Sequence, residues 1–138
     1  MEFLLYLTQD SKEILGLLQK AQYAVREDAS DCRDKSLFGF AIPSRQLIIC
    51  TQNIKASGYD LAFYVNETLR HEAVHAAQQC RGGAFWIAKE SMPLPWNKLK
   101  DATRSTKMTG GNLQVEREAY WMEDKPNEVK YVLSKYCL

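Results

Sequence analysis

The chain has 138 residues, 46% of them apolar and 25% charged, with a formal net charge of +1. That balance is ordinary for one soluble globular domain over residues 1–138, and it gives no case for a nucleic-acid or anionic-membrane partner. No apolar run approaches the length of about 20 residues needed to span a bilayer, and the start lacks a basic leader and a small-residue cleavage site, so neither a membrane span nor a signal peptide is expected.

Residues 3–7 fit a short strand or part of an N-terminal helix. Ile14, Leu17, Leu18, Ala21, Ala24 and Val25 then recur at helical spacing, which predicts a helix over 11–27, with Asp10 and Glu13 forming a capping box. The polar stretch 29–36 reads as a loop. Two aliphatic runs, 37–42 and 46–51, are separated by Pro43-Ser44-Arg45 and predict a pair of strands close enough to form a hairpin. The four cysteines, Cys32, Cys50, Cys80 and Cys137, form no Cys-x-x-Cys pair. Reduced thiols in a cytoplasmic setting are the expectation, with a single disulfide as the alternative.

The next helix, predicted over 59–79 and stopped by Arg81-Gly82-Gly83, contains His71-Glu72-Ala73-Val74-His75. Two histidines four apart lie one above the other on a helical face. Their nitrogens can therefore share one ion, and Zn²⁺ accepts such ligands at about 2.0–2.1 Å in a tetrahedron. Glu72 follows the first histidine directly, so it leans to the side of such an ion, where it can take a proton from an activated water. The chain has only these two histidines. A third protein ligand must then be a carboxylate or a thiolate.

Beyond the motif, 84–89 reads as the start of a short helix, and Met92-Pro93-Leu94-Pro95-Trp96 breaks regular structure. The segment 97–111 reads as a solvated loop, with a lid hinged at Gly110-Gly111 as the sharper alternative. Asn112 can cap a helix over 113–123, and Pro126 opens a last helix over 127–135. The 113–123 helix carries Glu116, Glu118 and Glu123. A glutamate from it would complete a two-imidazole, one-carboxylate site with an open position, the arrangement of a catalytic rather than a structural zinc.

His-Glu-x-x-His on one helix and Glu116-Arg117-Glu118-Ala119 on a later one resemble the gluzincin layout of zinc metallopeptidases. The stretch from Ile48-Ile49-Cys50 through the motif to Cys80-Arg81, with the Glu-x-x-Ala segment, is also similar to the mitochondrial inner-membrane peptidases that process an ATP synthase subunit. The likeness covers about residues 46–120. It implies a small zincin-like α+β domain, mainly helical, with a short β-sheet packed on the motif helix. It also implies that His71, His75 and Glu116 are the zinc ligands, that Glu72 is the catalytic base and that the substrate is a peptide or protein. Glu118 is the competing ligand. Tyr120 stands where such relatives often carry Asp or Asn to steady a metal-bound histidine; either another acceptor serves, such as Glu123 or a backbone carbonyl, or the site is looser. Tyr120, Tyr131 and Tyr136 are candidate oxyanion donors, and 46–51 is a candidate edge strand to hold an extended substrate. The rival readings are a zinc-binding regulatory or scaffold domain without activity, and an interaction protein whose histidine pair is incidental.

Overall fold

Residues 1–109 and 111–138, which the computed structural model describes, form six α-helices and three short strands in a mainly helical α+β arrangement. In chain order these are α1 (Gln9–Lys20), β1 (Ala24–Glu27), β2 (Gly39–Ile42), β3 (Gln46–Ile49), α2 (Thr51–Ser57), α3 (Leu61–Arg81), α4 (Trp96–Thr109), α5 (Leu113–Met122) and α6 (Pro126–Cys137).

The motif helix α3 is the hub. Asp60 caps its start by accepting from the Phe63 N–H. Gly82, with φ of 97°, ends it in the left-handed region that favours glycine, and the amides of Gly82 and Gly83 return to Gln78 O. Val65, Leu69, Ala73, Val74, Ala76 and Ala77 are fully buried. The small residues let α6 approach closely, and the core continues through Ile14 and Leu18 of α1 and Val129 and Leu133 of α6. This leaves one stripe of α3, free of the core, to carry chemistry.

The sheet has the order β1-β3-β2, with β1 parallel and β2 antiparallel to β3. The β2–β3 hairpin follows the sequence reading. The helix expected over 11–27 ends instead at Lys20. Gln22, with φ of 68°, turns the chain, and Ala24–Glu27 becomes β1. The N-cap of α1 is Thr8, whose hydroxyl accepts from the Ser11 N–H, so Asp10 already lies within the helix. Addition of β1 moves β3 to the centre of the sheet. The expected edge strand over 46–51 is thus not an edge; β2 is. The Cys50 N–H donates to Phe38 O, so Phe38, Phe40 and Ile42 face β3, and the N–H and C=O groups of Gly39 and Ala41 point to the open side.

Residues 84–88 form no helix, and only a short 3-10 turn follows at Lys89–Ser91. The segment expected to be a loop is α4. Its inward positions, Lys98, Leu99, Ala102, Ser105 and Thr106, do keep helical spacing. They are mostly polar or small, so hydropathy gives no signal there. Of the expected glycine hinge, Gly110 lies outside the described residues. Reduced thiols are also overturned: Cys32 is joined to Cys50 and Cys80 to Cys137, with Cα atoms 5.5 and 5.3 Å apart. No described helix is long and apolar enough to cross a membrane.

Candidate metal centre

A cleft of about 1000 Å³ runs along the free stripe of α3. Tyr64, Glu67, Thr68, His71, Glu72, His75, Gln78 and Gln79 form its floor, three or four residues apart as one helical face requires. β2 and the residues before it make one wall, and α4 and α5 make the other. Gly39 brings β2 down onto α3: a Cβ there would lie 2.6 Å from Thr68 Cγ2 and 2.8 Å from Ile48 O.

His71, His75 and Glu116 each offer one ligand atom, and these atoms lie within 4.8 Å of one another. His75 Nε2 is 3.2 Å from one Glu116 oxygen and His71 Nε2 is 3.7 Å from the other. Both rings are anchored from behind. His71 Nδ1 is 3.1 Å from Glu123 Oε1, and a carboxylate there makes Nδ1 the donor. His75 Nδ1 is 2.8 Å from Gln78 Oε1. The Gln78 amide nitrogen already donates to Val115 O and Glu118 Oε1, so Oε1 must accept and His75 Nδ1 must carry the proton. In neutral rings, both Nε2 lone pairs would then face the Glu116 carboxylate. Lone pairs aimed at an anion need positive charge between them, either protons or a cation. Burial opposes the imidazolium of His71, but hydrogen bonds to Glu116 and Glu123 outweigh it and hold that ring well above the usual histidine range. His75 is raised in the same way, against its burial, by Glu116 and the charge of Glu72. Burial works against the Glu116 carboxylate too, yet the two histidines hold it far below the usual range. Two imidazoles and one carboxylate, with both rings locked in the tautomer that frees Nε2, are a donor set that could hold a divalent metal ion.

Glu72 is 8% exposed and lines the cleft. Among the described residues it makes no hydrogen bond, and burial raises its carboxyl above the usual range, offset in part by the two histidines. Glu118 is the opposite case. It is fully buried and accepts from Phe85 N, Ile87 N, Gln78 Nε2 and Gln114 Nε2. It is a structural carboxylate, neither a metal ligand nor a surface ion pair. Glu123, and not Tyr120, is the acceptor behind His71. The Tyr120 ring packs edge-on against His71 at 4.6 Å, and its hydroxyl is 2.9 Å from Ser105 Oγ. Burial pushes that hydroxyl up to about 12. Tyr131 is exposed on α6 and Tyr136 stacks on Phe85; neither lines the cleft, so of the three tyrosines only Tyr120 remains near the centre. Gln78 was not legible as a partner of His75, although an amide three residues on, along the same face, is the signal that could have found it.

The chain belongs to the DUF8637 family, a domain of unknown function whose family model matches residues 3–138. No curated protein matches it, and no solved structure matches it.

Proposed function

We propose that this chain is a zinc-dependent metallopeptidase. The observation that carries the reading is the pairing of a convergent His71–His75–Glu116 triad with a neighbouring buried carboxylate, Glu72, that faces the cleft and has no hydrogen-bond partner among the described residues. Zn²⁺ bound there would supply Lewis acidity and bring the pKa of a coordinated water towards about 7. Glu72 takes the proton of the attacking water and returns it to the leaving amine; its raised proton affinity suits both steps. Glu123 and Gln78 hold the two Nδ1–H groups and so keep both Nε2 atoms aimed at one point. The free edge of β2 gives an extended peptide backbone its partners: the N–H and C=O of Gly39 and the N–H of Ala41, while Ala41 O already takes the Gln79 amide.

A zinc-binding scaffold without activity is the weaker reading, because it gives the unpartnered Glu72 and the open cleft nothing to do. The two disulfides favour an oxidising compartment over the cytoplasmic setting expected from the cysteine spacing. The test is turnover of unstructured peptides by protein purified without a histidine tag. Cleavage should stop with chelator and return with zinc. Cleavage indifferent to chelator, or no cleavage by zinc-loaded protein, contradicts the proposal.

A further inference from the structure

One end of the cleft has chemistry that the metal triad does not use. One turn before His71 the α3 stripe presents Glu67, and one turn earlier Tyr64; Phe38 and Asp101 complete the walls. Phe38 and Tyr64 meet edge to face at 5.9 Å, with Tyr59 packed on both. Glu67 feels the charges of Glu123, Lys98 and Arg70, and the charge of the exposed Asp101 reaches both Tyr64 and Tyr120. Five carboxylates line the cleft, and among the described residues no lysine or arginine does. The nine-tenths-buried Glu72 side chain, without a hydrogen-bond partner among the described residues, opens into the same cleft. This combination of aromatic wall, acidic rim and unmatched buried carboxylate calls for a ligand that is apolar along its stem and cationic at its tip.

We propose that this end of the cleft seats a lysine or arginine side chain of an extended peptide, its methylenes along Phe38 and Tyr64 and its charged head between Glu67 and Asp101. The inference rests on the peptidase reading and names its substrate class: peptides with a basic residue near the bond to be cut. The long basic side chains meet both demands at once, since their stems bury while their heads stay polar. Arginine suits the site best, because its flat guanidinium can lie on a ring and reach a carboxylate with two donors. A leucine would fill the aromatic wall but strip water from two carboxylates without replacing it. A glutamate would add like charge to a rim that is already acidic. Side chains alternate along a strand, so a peptide paired to β2 sends every second residue towards the α3 floor.

The test is binding, read separately from turnover. Zinc-loaded Glu72→Gln protein is titrated into labelled peptides that are identical except for arginine, leucine or glutamate at one position, with that position moved along the peptide. The arginine peptide is expected to bind about tenfold more tightly than the leucine peptide in one register, the scale of a half-buried charge pair beside an aromatic face. Adding Glu67→Gln and Asp101→Asn should shrink that ratio to less than about threefold. If the combined variant does not fold, exposed Asp101→Asn alone should still lower the ratio. Equal or tighter binding of the leucine peptide, or an unchanged ratio in a variant of unchanged melting temperature, overturns the inference. Peptide cleavage by the wild type without preference for basic residues overturns it and leaves the peptidase reading standing. Arginine-selective binding without cleavage does the reverse.

Discussion

Each imidazole of the centre is held from behind by a different device, a carboxylate for His71 and an amide for His75. Removing either should loosen its ring, and loss of Gln78 also removes a tie between α3 and α5. Glu123→Ala or Gln78→Ala is expected to weaken zinc affinity by about 10–100-fold, measured by competition with a chelating dye. Protons compete with the ion for the same Nε2 lone pairs, and the hydrogen bonds that raise both histidines favour the proton. Metal binding must therefore release protons, so affinity should rise with pH, by at least about tenfold between about pH 6 and 8. Affinity that falls or stays flat over that range would contradict the ligand assignment. Glu72→Gln should keep the metal and lower turnover by about 10²–10⁴-fold. The motif residues were legible because a fixed four-residue spacing places two histidines together whatever surrounds them. The choice between Glu116 and Glu118 was less so. Both were written into one helix, and only the packing shows Glu118 turned inward to four N–H donors.

Those donors tie α5 to Gln78 of α3 and to the irregular segment at Phe85 and Ile87. Glu118→Ala would leave them without an acceptor in a buried place. The expected loss is about 3 kcal/mol or more, seen as a drop of roughly 10 °C in melting temperature. The contact of β2 with α3 is just as specific. Gly39→Ala must push β2 away from Thr68, at about 1–3 kcal/mol and with loss of the cleft wall beside Glu72. A melting temperature unchanged in Gly39→Ala would mean that the two elements are less closely packed than described. At this scale the sequence was informative where apolar residues mark the buried face, as in the hairpin, α3, α5 and α6. It misled where they do not. Ala24 and Val25 continue the helical rhythm of α1, yet Val25 pairs with Leu47 in a sheet. α4 buries Ala102 and half-buries Lys98, Ser105 and Thr106, and Lys98 reaches Tyr120 O and Asp124 to hold the helix against α5.

Across the whole molecule, the fold brackets the motif helix with two covalent ties. Cys80, near its end, is joined to Cys137 at the end of α6, and Cys32 is joined to Cys50 beside β3. Neither pairing follows from spacing; each depends on which helices and loops come together. Their sequence separations of 57 and 18 close loops worth about 4 and about 3 kcal/mol in the chain-entropy account. Reduction should therefore lower the melting temperature markedly. The central proposal is one cation held between α3 and α5 by His71, His75 and Glu116. The most direct measurement is zinc titration of chelator-treated, untagged protein, with metal stoichiometry read by elemental analysis. We expect one equivalent bound by the wild type and by Glu72→Gln, and tight binding lost in Glu116→Ala. No bound zinc in the wild type, or an undiminished equivalent in Glu116→Ala, would contradict it.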